Sequence, residues 1–104
     1  MQVKDPSPAT PRRYGLTLEE WRAILDIQGG VCAICKRVPP NGRLVVDHEH
    51  VRGWKKMPPE KRKLYVRGLI CSWDNRQHLR RGMTAQKASA IMTYLRMFEE
   101  RRPC

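Results

Sequence analysis

Residues 29–50 read GGVCAICKRVPPNGRLVVDHEH. Gly29 and Gly30 stop whatever helix precedes them. Cys32 and Cys35, separated by two residues, can place both sulfurs on one ion at ~2.3 Å from zinc. Pro39 to Gly42 predicts a turn, and Asn41-Gly42 is the strongest short-range hairpin signal a sequence offers. Leu44-Val45-Val46 then predicts a strand that runs straight into Asp47, His48, Glu49 and His50. Side chains alternate along a strand, so His48 and His50 share a face, and Asp47 opposes His48 unless the strand bends.

Working outward toward the N-terminus, Leu16 to Gly30 predicts a helix. Thr17 and Glu20 have the spacing of a capping box, and Leu16 and Trp21 fall at the staple positions around it. Leu18, Trp21, Ile24, Leu25 and Gln28 recur at helical spacing. Residues 1–13 contain three prolines and little that is apolar, which predicts a flexible arm. Residues 14–104 are then a single domain.

Toward the C-terminus, residues 51–63 predict a basic loop broken by two prolines. Leu64 to Ile70 is a short apolar stretch around Arg67-Gly68. Cys71 to Leu79 predicts one short helix. Thr84 caps a last helix to about Arg101, with Ala88, Ile91, Met92, Leu95 and Phe98 on one face. The expected class is α+β, and a core this small often needs a structural metal.

The 104 residues carry 21 Lys and Arg against 10 Asp and Glu, a net charge of +11. Residues 1–31 are neutral, so the whole excess lies after them. Such asymmetry points to a polyanion, most often nucleic acid. No apolar run approaches the ~20 residues of a membrane span, and no signal peptide is visible. These features predict a cytoplasmic protein without membrane contact, in which thiols stay reduced and Cys-x-x-Cys is a metal or redox motif.

Cys71 supplies a third thiolate from the start of a later helix. Three residues on stands Asp74, on the same helical face, and carboxylate oxygen is an acceptable zinc ligand. The simpler alternative is an Asp that favours the helix N-terminus, with zinc completed by water or absent. Cys104 has no spacing that recommends it. Asp47, His48 and His50 beside a basic patch suggest a hydrolytic centre, since histidine takes a proton from water near neutral pH. Two surface histidines that only hydrogen-bond are the competing reading. Asn75 and His78 lie three apart on one helix. With Asp47 they offer oxygen and nitrogen donors to a divalent cation such as Mg²⁺, the usual phosphodiester catalyst.

Tyr14-Gly-Leu-Thr-x-Glu-Glu-Trp, Gly29-Gly-Val-Cys-Ala-Ile-Cys, Val46-Asp-His-Glu-His and Val66-Arg-Gly-Leu-Ile-Cys-x-x-Asp-Asn together resemble the recombination endonuclease VII family. This is a phage and prophage branch of the HNH nucleases, and the resemblance runs over residues 14–80. It implies a zinc-stapled ββα-metal (His-Me finger) core with flanking N- and C-terminal helices. It implies His48 as general base, Asp47 and Asn75 as ligands of the catalytic cation, and His50 as a supporting group. Cys32, Cys35 and Cys71 fall on three zinc cysteines. Two positions depart from the family pattern: Asp74 replaces the fourth cysteine, and His78 stands where an acidic metal ligand is familiar. Imidazole at His78 would favour Mn²⁺, Ni²⁺ or Co²⁺ over Mg²⁺.

The expected activity is metal-dependent hydrolysis of DNA phosphodiesters, by nicking or by duplex or junction cleavage. Arg52, Lys55, Lys56, Lys61, Arg62, Lys63, Arg67, Arg76, Arg80 and Arg81 would seat the DNA, branched and nicked forms included. One centre cuts one strand, so a monomer suffices for nicking, while a double cut needs a homodimer. A non-catalytic zinc-dependent DNA-binding module is the main rival, and a redox protein using Cys32 and Cys35 is a second. The redox reading lacks the βαβ pattern of a thioredoxin-like site.

Overall fold

The computed structural model describes residues 2–79 and 82–101. Arg80, Arg81 and Cys104 lie outside the described residues. The elements follow the order α1 (Ala9–Arg13), α2 (Leu18–Ile27), β1 (Val45–His48), α3 (Pro59–Arg62), β2 (Val66–Ile70), α4 (Ser72–Gln77) and α5 (Ala85–Arg101), with 3₁₀ turns at Trp54–Lys56 and Lys63–Tyr65. This is a small α+β chain around one two-stranded antiparallel sheet.

Helix α2 starts where its sequence predicts. The Glu20 N–H donates to Thr17 Oγ1 at 3.0 Å, and the Thr17 N–H donates to Glu20 Oε1 at 2.9 Å. Both bonds satisfy donors that the first helical turn leaves without partners. Trp21 is fully buried and Leu16 nearly so. They join Cys32, Leu44, Val46, Leu69, Ile70 and Cys71 in the interior, with Ile24 and Leu25 packed against it. A fully buried side chain of this kind contributes roughly 1.5–3 kcal/mol, so Trp21 and Leu69 weigh heavily in so small a core.

The hairpin differs from the sequence expectation. Pro39 to Gly42 does turn, with the Gly42 N–H donating to Pro39 O at 2.8 Å. No strand precedes that turn among the described residues. Strand β1 instead pairs with β2, Val45 opposite Ile70 and Val46 opposite Leu69. The connection between them is the basic segment 49–65. The reason is apolar area: β2 offers Leu69 and Ile70 for burial, whereas the chain before Pro39 is committed to the cysteine turn. The backbone N–H of Lys4 donates to Gly42 O at 2.7 Å, so the turn anchors the N-terminal segment.

Residues 2–13, expected as a flexible arm, carry helix α1. Pro11 is buried, Val3 packs on the core, and Asp5 pairs with Arg22. Gly15 follows at a φ of +75°, and a Cβ there would lie 2.0 Å from the Pro59 carbonyl oxygen. Only glycine lets the start of the chain cross α3 this closely. Helix α5 begins as expected, with the Lys87 N–H donating to Thr84 Oγ1 at 3.1 Å. None of its residues is buried, and the apolar face with Ile91, Met92 and Leu95 stays exposed. No helix among the described residues is long and apolar enough to cross a membrane.

Candidate functional site

The cysteine turn and the start of α4 meet under the sheet. Cys32, Cys35, Cys71 and Asp74 each turn one ligand atom inward, and these atoms lie within 4.8 Å of one another. All three cysteines are free thiols. Asp74 Oδ2 accepts from Cys32 Sγ at 3.3 Å and from Cys71 Sγ at 3.1 Å. Backbone N–H groups of Ile34 and Cys71 point at Cys32 Sγ, at 3.4 and 3.3 Å, and the Asp74 N–H points at Cys71 Sγ at 3.4 Å. Amides aimed at sulfur favour the thiolate form that binds metal.

Burial pushes the Cys71 thiol up to about 12. The Arg37 backbone N–H holds Cys35 below its ordinary value, and hydrogen bonding from Cys71 does the same for Asp74. A tetrahedral ion sets its sulfurs roughly 3.8 Å apart, so the four groups fit a metal ion such as zinc with a small contraction.

The local fold explains the assembly. The Cys32 N–H donates to Arg37 O and the Lys36 N–H to Cys32 O, both at 3.0 Å. Lys36 takes a left-handed φ of 61° to close this turn. The Ala33 N–H then docks on Leu69 O at 3.1 Å. Gln28, expected only as part of the apolar face of its helix, is the clamp. Its Nε2 donates to Val31 O at 2.9 Å and Leu69 O at 2.8 Å, and its Oε1 accepts from the Leu69 N–H at 2.8 Å. A Cβ at Gly68 would sit 2.9 Å from that Oε1. Glycine at 68 is the sequence signal for this close approach, legible only once the partner is known.

The second centre lies at the far end of β1. His48 is half-buried and stacks on Trp54, with centroids 4.3 Å apart and planes 24° apart. Tyr14 and His50 flank it, at 5.4 and 4.8 Å. Burial, and then the neighbouring His50, hold His48 below the ordinary histidine value of 6.5. These side chains open into a cavity of about 1140 Å³ that is also lined by Arg13, Arg52, Lys55, Lys56 and Arg62. Trp54 and Tyr14 form the aromatic wall. The basic loop around Trp54 gives no periodic signal that would have singled it out.

Asp47 is 4% exposed and is bound by the Arg67 guanidinium, Nε to Oδ2 at 2.7 Å and Nη2 to Oδ1 at 2.9 Å. Asn75 is half-buried on α4, which packs against β1. Carboxylate and carboxamide oxygens suit Mg²⁺ or Mn²⁺, and the Arg67 fork engages both Asp47 oxygens in this structure. The donor chemistry fits such a cation. Among the described residues, the Cys–Asp cluster is the only convergence of three or more His, Cys, Asp or Glu ligand atoms.

His78, expected beside Asn75 as a cation ligand, lies next to the carboxylate of the cysteine cluster. It follows Asp74 by one helical turn, its Nε2 lies 3.6 Å from Asp74 Oδ1, and it borders a separate cavity beside Cys35 and Cys71. The expected phosphate contacts also divide. Arg52, Lys55, Lys56 and Lys61 are exposed. Arg62 instead donates to Arg13 O and Lys55 O, at 3.1 and 2.6 Å, and covers the Trp54 ring. Lys63 pairs with Glu20, and Arg67 with Asp47. Arg76 is exposed on α4 and engaged with neighbours.

Comparison with known proteins bears on both centres. Two mycobacteriophage proteins, each called Gene 59 protein, are similar: that of phage D29 is 44% identical over 61% of this chain and 32% of its own length, and that of phage L5 is 41% identical over 64% and 34%. The chain thus spans about a third of the length of these relatives. No solved structure matches. The sequence profile of recombination endonuclease VII matches residues 8–97, which include the cysteine turn, the histidine strand and α4. The chain belongs to the recombination endonuclease VII family.

Proposed function

We propose that the chain is a metal-dependent DNA endonuclease built on a ββα-metal core. Family membership supports a nuclease that takes DNA as substrate. The observation that carries the finer reading is His48: half-buried, shifted toward its neutral form, and set at the mouth of a cavity rimmed by cations. A neutral imidazole can accept a proton from an attacking water. Trp54 and Tyr14 hold the ring in place, and His50 beside it disfavours its protonation.

The succession β1, β2, α4 would supply the two strands and helix of that core, and Cys32, Cys35, Cys71 and Asp74 would hold a structural zinc. That zinc would cross-link the cysteine turn to α4. Asp47 and Asn75 would hold the catalytic Mg²⁺ or Mn²⁺, which when bound neutralises charge on the scissile phosphate. Arg52, Lys55, Lys56 and Lys61 seat the DNA backbone, and Arg13 joins them from the N-terminal segment.

The test is digestion of labelled linear, nicked and four-way-junction DNA by zinc-loaded protein, with and without added Mg²⁺ or Mn²⁺. His48→Ala should lower the cleavage rate by ~10²–10⁴-fold while DNA affinity stays within a factor of a few. Cleavage near the wild-type rate would remove His48 from the chemistry. Binding without cleavage under every metal would favour a DNA-binding module.

A further inference from the structure

Strand β2 carries one more residue than β1 across the sheet. Asp47 pairs with Gly68 and His48 with Val66, which leaves Arg67 without a partner in the ladder. A bulge of this kind re-aims a side chain, and here the guanidinium closes on Asp47 through both carboxylate oxygens. The anion of the pair is 4% exposed and the cation 36%, so solvent, and anything arriving from solvent, meets Arg67 first. A guanidinium binds phosphate with the same fork geometry as carboxylate. It also places a positive charge beside the oxygens that a second cation would need.

We propose that Arg67 is a positioning residue that guards Asp47: in the DNA-free protein it holds the carboxylate against a divalent cation, and a backbone phosphate of bound DNA draws it away. The inference rests on the reading of Asp47 as a cation ligand. Its physical basis is that a buried carboxylate is costly to leave unpaired. Arg67 can therefore leave for a phosphate only as another cation takes its place. Cation and DNA binding become coupled, and the coupling is reciprocal. The protein would then carry a competent site only when substrate is present.

The experiment is a Mn²⁺ titration of the zinc-loaded full chain, followed by the loss of the free-ion electron paramagnetic resonance signal. Mn²⁺ stands below Zn²⁺ in affinity for such ligands and leaves the thiolate site loaded. Without DNA, Arg67→Gln should bind Mn²⁺ about tenfold more tightly than the unsubstituted chain. In the His48→Ala background, a phosphodiester duplex should tighten Mn²⁺ binding by a similar factor, while inorganic phosphate and a methylphosphonate duplex should not.

Equal Mn²⁺ affinity in Arg67→Gln and the unsubstituted chain would overturn the guard, with Asp47→Asn still abolishing binding. Should Arg67→Gln fail to fold, the duplex arm decides alone: unchanged Mn²⁺ affinity overturns the proposal. Mn²⁺ binding that survives Asp47→Asn would instead overturn the ligand reading beneath it.

Discussion

Three of the four groups in the Cys–Asp cluster are buried, their sulfurs receive backbone N–H groups, and their ligand atoms already converge within 4.8 Å. Around His48 the arrangement is the reverse. His48 is half-buried, His50 is exposed, the neighbouring carboxylate is occupied by Arg67, and five cations face an open cavity. The first centre can hold its ion before anything else binds, so it is suited to hold the fold together. The second is open and rimmed by cations, so its charge suits a polyanion. The small core makes the division necessary: Trp21 and Leu69 cannot by themselves order a cavity lined by mutually repelling charges.

The largest test of this contrast is Cys32→Ser. Removal of a fully buried thiolate should leave no cooperative thermal unfolding, because metal binding and folding are one equilibrium in so small a domain. Circular dichroism and elemental analysis check it, and a folded, zinc-free variant would break the comparison. Asp74→Cys should act in the opposite direction. A fourth soft thiolate should hold zinc more tightly. A gain of about 1 kcal/mol would raise Tm by roughly 4–8 °C, with slower loss of zinc to chelators. An unchanged Tm would mean that Asp74 does not touch the ion.

The open centre should show itself in pH dependence. His48 is held below 6.5 by burial. A base acts in its neutral form, so the acid limb of kcat/KM should have its midpoint below that value. The same shift means that the unfolded chain takes up a proton that folded His48 refuses. Stability is therefore unaffected by this group above pH 6.5 and declines as pH falls from 6.5 through the lower folded value. A midpoint at or above 6.5 would put another group in control. The smallest effect is expected from the exposed cations. Lys55→Gln and Lys56→Gln should each reduce the slope of log affinity against log salt by about one unit. Arg62→Gln should instead lower Tm, because Arg62 is spent on Arg13, Lys55 and Trp54.

Several parts of the molecule were legible in the sequence because they rest on contacts a few residues apart. The Thr17–Glu20 box, the Cys32–Cys35 turn, the Thr84 cap and the placing of Asp74 three residues after Cys71 all repeat local geometry. His78 shows where local spacing stops deciding. It is three residues from Asn75 and four from Asp74, both helical neighbours, and spacing alone does not tell which of them it meets; its Nε2 lies 3.6 Å from Asp74 Oδ1.

By itself, then, the sequence determined the capped helix, the cysteine turn, the strand that ends in Asp47 and His48, and a cationic second half. Tertiary structure decided the rest. It chose β2 over the segment before Asn41-Gly42 as the partner of β1, because turn chemistry permits a hairpin while buried apolar area selects one. It bound Gln28 to Leu69 across 41 residues. It also turned Arg67 from a presumptive phosphate contact into the partner of Asp47, through a one-residue bulge that no period in the sequence announces. The physical reason is the same in each case: periodicity and capping are short-range, whereas register, bulges and ion pairs depend on which surfaces meet.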